Sequence, residues 1–77
     1  MYFVYSLQNN SGSYYIGKTK DIARRLSEHL NGQCAHTADL GPWKLVFYIG
    51  FSDITKAHSF ELYLKTGSGR AFIKKHF

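Results

Sequence analysis

The fold of this chain is constrained most by two β-rich runs near its start. They read YFVYSL and SYYIGK, and the turn-forming segment QNNSG at residues 8–12 separates them. Two such runs around a short turn predict an antiparallel hairpin. If residues 8–12 form the loop, the numbers of paired residues sum to twenty, so Tyr5 lies opposite Tyr15 and Phe3 opposite Gly17 on one face.

A first helix is predicted at residues 21–32, which read DIARRLSEHLNG. Asp21 is suited to cap the helix or lie in its first turn, and the Asn-Gly pair at the end is a stop signal. Ile22, Leu26 and Leu30 recur every fourth residue and form an apolar stripe that we expect to face the sheet.

The basic residues of this helix are expected to differ in position. At about 100° per residue, Arg24 points away from the apolar stripe and into solvent. Arg25 and His29 are four residues apart, so they share a face that borders the stripe. Against a sheet that displays tyrosines they would form a cationic edge. The alternative is that Arg25 pairs with Glu28 or Asp21 on a solvated surface.

The second half of the chain predicts another strand and two more helices. KLVFYIGF at residues 44–51 is apolar enough for a third strand that is buried on both faces. Residues 52–67 predict a second helix, with Ser52 or Asp53 at its N-cap and Gly67 at its end. The final run, GRAFIKKHF, predicts a short basic helix. With no repeat or linker, the pattern indicates a single α+β domain.

Glu61 is the unexpected residue on the apolar face of the second helix. That face is formed by Ile54, Ala57, Phe60 and Leu64. An ionised carboxylate is costly to bury unless it is paired or binds a metal, so Glu61 is a candidate functional residue. The alternative is a position at the rim of the face, in an i,i+4 ion pair with Lys65.

Composition favours a folded domain with a polyanionic partner. The 77 residues are 44% hydrophobic, and ten Lys and Arg against five Asp and Glu give a net charge of +5. The alternative is that this charge serves solubility alone. Cys34 is the single cysteine, so no internal disulfide can form, and with His36 it supplies too few ligands for a zinc site. The N-terminal run does not resemble a signal peptide and no apolar run is long enough to span a membrane, so we expect a cytoplasmic protein.

The order and spacing of several motifs resemble the GIY-YIG nuclease family, in its small stand-alone bacterial form. FVY at residues 3–5 stands where the first motif is expected, and YIG at residues 15–17 matches the second. GKTKDIARRLSEH resembles the first helix of the family, and HTADLGPWKLVFY its loop and third strand. AHSFELYLK resembles its metal-binding helix, and GSGRAFIKKHF its ending. The resemblance implies one domain over residues 1–77, with a small three-stranded antiparallel sheet flanked by helices.

The resemblance also implies which residues act. The catalytic residues would be Tyr5, Tyr15, Arg25, His29 and Glu61, and Glu61 would also be the metal ligand. We expect contacts to DNA from Gly17, Lys18, Lys20, Arg70, Lys74 and Lys75. Phe3 stands where the family has the first glycine of its motif, and its ring would fill the space opposite Gly17. Gly17 itself would leave room for the first helix and a DNA phosphate to approach the tyrosines.

The implied reaction is metal-dependent hydrolysis of DNA phosphodiester bonds, in DNA repair or processing. The five acids are scattered along the sequence, which does not suit a nuclease built from clustered carboxylates around two metals. We therefore expect one Mg²⁺, or Mn²⁺, held by Glu61, with waters and phosphate oxygens completing its shell. Arg25 would hold the phosphate and offset the charge that develops on it.

Tyr5 is the expected general base. A tyrosine has an ordinary pKa near 10, so Lys18, Arg25 and the metal ion would have to lower it. Tyr15 would position the water or share the proton, and His29 is the competing base.

Two functions of other classes remain open from the sequence. A non-catalytic nucleic-acid-binding module would keep the basic charge and the aromatic sheet but make no use of Glu61 or a metal. A degenerate domain used for protein interaction is favoured by Phe3. The expected partner is the DNA phosphate backbone with low sequence specificity, and a protein partner or self-association would supply any further specificity.

Overall fold

The computed structural model describes residues 1–33 and 40–77. Its strands are β1 (Tyr2–Asn9), β2 (Tyr14–Thr19) and β3 (Trp43–Phe51), and its helices are α1 (Ile22–Leu30), α2 (Ile54–Leu64) and α3 (Gly67–His76). In the described chain the strands form one antiparallel sheet in the order β2-β1-β3. This arrangement confirms the predicted α+β class and the small three-stranded antiparallel sheet.

The hairpin forms as predicted, but the predicted register was wrong by two residues. Tyr5 pairs with Gly17 and not with Tyr15, and Phe3 is not opposite Gly17. The loop is shorter than expected because Asn9 stays in β1, where its side-chain oxygen accepts hydrogen bonds from the backbone N–H groups of two loop serines. A shift of two residues keeps every side chain on its predicted face.

The space beside Gly17 is filled by the ring of Tyr5, which lies directly opposite in the register. A Cβ added at Gly17 would overlap the hydroxyl and ring atoms of Tyr5. The expectation that this glycine admits a helix and a DNA phosphate was therefore wrong. Phe3 lies beside another glycine instead, since it pairs with Gly50 of β3, where an added Cβ would be 3.2 Å from the Phe3 ring.

The helices cover the two faces of the sheet separately. On one face, which we call the α1 face, Tyr5, Leu7 and Trp43 form a buried cluster, with Ile22 and Leu26 of α1 packed against it. On the opposite α2 face, the buried cluster consists of Val4, Phe47, Ala57, Leu64 and Ile73. Alternation along β1 sends even-numbered side chains to the α2 face and odd-numbered ones to the α1 face.

The inward stripe of α1 differs from the prediction. Leu30 is 51% exposed, whereas His29 is 2% exposed and faces the core. Residues four apart drift by about 40° per step around a helix, so a run of Ile22, Leu26 and Leu30 leaves the sheet at its third member. His29 follows Leu26 by three residues and not four. The stripe of Ile22, Leu26 and His29 therefore spans a narrower arc of the helix than the predicted stripe. A polar side chain therefore takes the last buried position.

The strand β3 is not buried on both faces, as the sequence had predicted. Leu45 is 40% and Tyr48 52% exposed, while Phe47 is buried. β3 is an edge strand, and α1 covers only part of the face to which Leu45 and Tyr48 belong. An apolar run therefore does not by itself identify a central strand.

The ends of the last two helices are set by caps. Asp53 caps α2 as predicted, since its carboxylate accepts a hydrogen bond from the backbone N–H of Thr55 at 2.8 Å. Gly67 was expected to end this helix, and that prediction was wrong. The side chain of Thr66 accepts a hydrogen bond from Gly69 N–H and starts α3, so Gly67 is its first residue.

Candidate functional site

Two of the expected site residues, Tyr5 of β1 and His29 of α1, are joined by a hydrogen bond. Tyr5 Oη lies 2.7 Å from His29 Nε2, and the two residues are 1% and 2% exposed. A phenol hydroxyl can donate to a neutral imidazole nitrogen or accept from a ring N–H. The two competing candidates for the general base therefore form one buried unit.

Tyr15 of β2 completes this group of aromatic side chains. Its ring centroid is 4.7 Å from that of His29 and 6.3 Å from that of Tyr5. On its other side it meets the buried ring of Trp43 edge-on at 6.3 Å. Tyr15 is only half-buried, so it is the member that can contact a molecule from solvent. We call Tyr5, Tyr15 and His29 the tyrosine–histidine cluster.

The two adjacent arginines of α1 have different surroundings, as helix geometry predicts. The side chain of Arg24 is 71% exposed, and its Nε lies 3.9 Å from Asp21 Oδ2. The side chain of Arg25 is 32% exposed, and its Nη1 lies 3.0 Å from Glu28 Oε1. The ion pair that the sequence offered as an alternative is therefore present. Ion pairs between partly exposed charges contribute about 0–1 kcal/mol to the free energy of unfolding. A phosphate can therefore displace Glu28 from Arg25.

Glu61 of α2 lies among positively charged and imidazole side chains on the α2 face. Its Oε2 accepts a hydrogen bond from Lys65 Nζ at 3.3 Å. Its Oε1 lies 3.9 Å from Lys18 Nζ and 3.7 Å from His58 Nδ1. Both sequence interpretations hold in part, because the carboxylate side chain is only 14% exposed and also pairs with Lys65. We call these four residues the Glu61 cluster.

Lys18 belongs to the Glu61 cluster and not to the neighbourhood of Tyr5. Side chains alternate along β2, so Lys18 and the adjacent Gly17 face opposite sides of the sheet. Tyr5 lies on the side of Gly17. The expectation that Lys18 acts on Tyr5 was therefore wrong. Its ammonium donates a hydrogen bond to His58 Nδ1 at 3.3 Å instead.

A cleft at the outer edge of β2 borders both clusters. It is lined by Tyr14, Tyr15, Ile16, Leu64, Lys65 and Arg70 and has a volume of about 370 Å³. Tyr15 belongs to the tyrosine–histidine cluster and Lys65 to the Glu61 cluster. We call this space the β2-edge cleft. Two cations and two tyrosines make it suited to an anionic ligand such as a phosphodiester.

The residues expected to contact DNA differ in their exposure and in their distance from the two clusters. Gly17 is buried beneath Tyr5. The five cations are Lys18 in the Glu61 cluster, Arg70 in the β2-edge cleft, exposed Lys20 just past the end of β2, and exposed Lys74 and Lys75 in the last turn of α3. Of these five cations, Arg70 is the one that shares the cleft with Tyr15, so it is the best placed of the five for a phosphate in that cleft.

Any metal ion must be held here by few protein ligands. Within residues 1–33 and 40–77, no three His, Cys, Asp or Glu side chains are grouped so as to hold a metal. Among the same residues, Glu61 Oε1 accepts no hydrogen bond shorter than 3.5 Å. An anionic oxygen with free lone pairs fits Mg²⁺, which keeps most of its waters. Cys34 and His36 lie outside the described residues.

His58 is a residue of the site that sequence reasoning missed. It lies three residues before Glu61, and positions three apart are neighbours on a helix surface. That spacing was readable in the sequence. Its partner Lys18 was not, because only the packing of α2 against β2 brings the two together.

The fold and the two clusters define a small α+β domain that holds tyrosine and histidine on one face of its sheet and glutamate on the other. The family model of the GIY-YIG catalytic domain matches residues 1–75. The chain belongs to the GIY-YIG family, as the motifs predicted. In the part of the chain that the structure describes, no helix has the length and apolar character needed to cross a membrane.

The chain is also similar to several bacterial UPF0213 proteins. The UPF0213 protein of Streptococcus pneumoniae serotype 4 is 42% identical over 64 residues, which cover 82% of this chain and 65% of that relative. UPF0213 protein SSP2268 of Staphylococcus saprophyticus is 34% identical over 74 residues, 95% of this chain and 90% of the relative. The fold is also similar to the solution NMR structure of UPF0213 protein BH0048 from Bacillus halodurans, with a TM-score of 0.60 and 32% sequence identity. The match covers 97% of this chain and 82% of the BH0048 chain. This chain thus spans just under two thirds of the pneumococcal relative.

Proposed function

We propose that this chain is an endonuclease that hydrolyses DNA phosphodiester bonds with one divalent metal ion, in DNA repair or processing. Membership of the GIY-YIG family supports the proposal, because the matched region is a catalytic domain. The net charge of +5 supports a polyanionic substrate. The single cysteine agrees with a reducing compartment, and we propose that the protein acts in the cytoplasm.

The hydrogen bond between Tyr5 and His29 is the observation that carries the proposal. A module that binds nucleic acid by stacking needs exposed rings, whereas Tyr5 is 1% exposed and its hydroxyl is held by His29. A buried phenol paired with an imidazole is suited to accepting and passing a proton. Its geometry therefore supports hydrolysis over simple binding.

Tyr15 is proposed to link the buried pair to the substrate. Its ring lies against His29 and its position borders the β2-edge cleft. A water held by the Tyr15 hydroxyl would give its proton to Tyr5 Oη, while the hydroxyl proton of Tyr5 passes to His29 Nε2. Tyr5 remains the proposed base and His29 the competing one, and their hydrogen bond makes them act together.

Arg25 is proposed to grip the phosphate. Its guanidinium can offer two parallel N–H donors to two phosphate oxygens, which the ammonium of a lysine cannot. In the structure one of these donors contacts Glu28 on the surface of α1. Substrate would replace this weak contact and leave Arg25 against the charge that develops in the transition state.

Glu61 is proposed to hold one Mg²⁺ or Mn²⁺ through Oε1. A bound ion of this kind neutralises phosphate charge and activates a water. The side chain of Lys65 is 51% exposed, so it can turn into solvent and release Oε2. The proposed DNA contacts are to the phosphate backbone, with Arg70 in the cleft and the other cations around it. Specificity for sequence would then come from a protein partner or from self-association.

The test is incubation with plasmid, nicked, branched and flap DNA in Mg²⁺, Mn²⁺ or EDTA. We expect cleavage with either metal and none in EDTA. Glu61→Gln keeps the shape of the side chain and removes its charge, so we expect folded protein that binds DNA but does not cleave it. Wild-type cleavage by Glu61→Gln would remove this residue from the mechanism.

The salt dependence of DNA binding separates the proposal from a protein-interaction role. Contacts to phosphates release counterions, so affinity should fall steeply with salt and depend little on sequence. DNA binding that is insensitive to salt, or absent at low salt, together with no cleavage in either metal, would favour the protein-interaction function.

A further inference from the structure

His58 is a member of the Glu61 cluster to which the proposed reaction gives no role. Its side chain is 55% exposed, and its Nδ1 lies 3.7 Å from Glu61 Oε1. The two residues are three apart on α2, so both side chains reach the same point above the helix surface. Glu and His three residues apart on a helix are known metal ligands in the order Glu-x-x-His, and here the order is reversed.

The ammonium of Lys18 marks that point as a cation site. Its Nζ lies 3.3 Å from His58 Nδ1 and 3.9 Å from Glu61 Oε1. An ammonium group only donates hydrogen bonds, so His58 Nδ1 must present its lone pair to Lys18. A nitrogen lone pair and a carboxylate oxygen thus converge on one positive charge. Imidazole nitrogen and carboxylate oxygen are both donor types that divalent metal ions accept as ligands.

We propose that His58 Nδ1 and Glu61 Oε1 together bind one divalent metal ion in place of the Lys18 ammonium. The inference rests on the proposed function, in which Glu61 holds the ion, and adds a nitrogen ligand and an internal competitor. Adjacent ligands about 2.1 Å from an octahedral ion lie about 3 Å apart. The observed 3.7 Å between the two donor atoms therefore needs a movement of less than about 1 Å.

The two lysines of the cluster can make room for the ion. The side chain of Lys18 is 28% exposed and that of Lys65 51% exposed. Both have flexible stems that allow the ammonium to turn toward solvent. Once displaced, Lys18 is free to contact an anion such as a DNA phosphate. The site thus exchanges an internal cation for a metal ion.

The nitrogen ligand gives the site a metal preference. Imidazole suits first-row transition metals, whereas Mg²⁺ prefers oxygen ligands and water. With His58 as a ligand, the protein should bind Mn²⁺ more tightly than Mg²⁺. Without His58, this preference should be largely lost.

The direct test is an NMR titration of the full chain with MnCl₂, with observation of the histidine rings. The paramagnetic ion broadens the signals of the groups nearest to it. We expect the His58 ring to broaden at lower Mn²⁺ than the ring of His76, which is exposed at the end of α3. Glu61→Gln should remove the difference. Equal broadening of His58 and His76 in the wild-type chain would overturn the proposal.

Metal affinities of three variants give an independent measurement by calorimetry. His58→Ala should weaken Mn²⁺ binding by about tenfold or more, since even the partners of metal ligands contribute about 10–100-fold in affinity. Its effect on Mg²⁺ should be smaller. Lys18→Met keeps the stem and removes the competing charge, so Mn²⁺ should bind more tightly. His76→Ala is the matched control and should change neither affinity.

The outcomes separate this inference from the proposed function. Unchanged Mn²⁺ affinity in His58→Ala, with cleavage still dependent on Glu61, would reject His58 as a ligand and leave the nuclease in place. Selective broadening of His58 in a chain that cleaves no DNA would keep the metal site and reject the nuclease.

Discussion

The two faces of the sheet hold their polar groups in opposite ways. On the α1 face, Tyr5 and His29 are fully buried and hydrogen bonded to each other. On the α2 face, Glu61 lies near the surface, with the partly exposed cations Lys18 and Lys65 beside it. The tyrosine–histidine cluster is held in place by packing. The Glu61 cluster is held by ion pairs whose partners can be replaced by ions from solution. The β2-edge cleft is where the two meet.

This difference shows how a small domain can combine fixed and exchangeable groups. The geometry of a buried hydrogen-bonded pair is set by the core around it, which suits a proton transfer that depends on alignment. Partly exposed ion pairs contribute little to stability, so they are readily replaced by a metal ion or a phosphate. We therefore infer that the α1 face supplies alignment and the α2 face supplies binding of ions.

The largest effect should come from the guanidinium of Arg25, which lies one helical turn before His29 on α1. Arg25→Ala should lower the single-turnover cleavage rate by about 100-fold or more, roughly 3 kcal/mol of transition-state stabilisation. Arg25→Lys should also be poorly active, because lysine lacks the planar fork. Arg24→Ala is the matched control, with the same charge removed from the solvent side of α1, and should mainly weaken binding at higher salt. Equal losses of cleavage in Arg25→Ala and Arg24→Ala would show that Arg25 has no catalytic role and is an ordinary solvated surface residue.

A smaller effect should follow from disturbing the packing that fixes the α1 face. Gly17→Ala places a methyl group where the Tyr5 ring lies, so the ring must move away from its hydrogen bond with His29. We expect the free energy of unfolding to fall by about 1–3 kcal/mol, as for other overpacked cores. Gly67→Ala is the control, because an added Cβ there has no atom within 4 Å. Urea denaturation measures both, and similar midpoints for the two variants would contradict the packing of Tyr5 over Gly17.

The smallest effect tests whether the apolar part of the α2 face tolerates change without loss of function. Ser6 points into that face and is fully buried, and its Oγ has no hydrogen-bond partner among the described residues. Ser6→Ala should raise the free energy of unfolding by about 1 kcal/mol, because an unsatisfied buried hydroxyl is costly. Cleavage should be unchanged. Exposed Ser27 offers the control Ser27→Ala, with an expected change within about 0.5 kcal/mol. A clear loss of stability in Ser6→Ala would show that its hydroxyl is satisfied.

Much of the fold follows from local signals in the sequence. The hairpin, the capping of α1 by Asp21 and of α2 by Asp53, and the α+β class were all predicted from turn residues, caps and periodicity. The register was not, because the loop length depends on the side-chain hydrogen bonds of Asn9. The exposure of β3 was not predicted either, since the position of a strand within a sheet is a property of the whole fold.

The candidate site was predictable in its residues but not in their grouping. Spacing and motif order identified Tyr5, His29 and Glu61. That the first two share a buried hydrogen bond depends on α1 placing His29 over β1. That Lys18 contacts His58 depends on which face of β2 it occupies, and a strand alternates faces at every residue. Contacts between distant elements of this kind have no local signal.

Single-turnover cleavage by Tyr5→Phe and Glu61→Gln, at saturating enzyme in Mg²⁺, tests the central claim most directly. Each variant removes one group from a different face, a hydroxyl from the α1 face or a charge from the α2 face. Tyr48→Phe is the control, because Tyr48 is exposed on the α1 face. The account predicts that Tyr5→Phe and Glu61→Gln both stay folded by circular dichroism and lose cleavage by about 100-fold or more, while Tyr48→Phe cleaves like the wild type. Wild-type cleavage by either Tyr5→Phe or Glu61→Gln would contradict the claim that both faces serve one reaction.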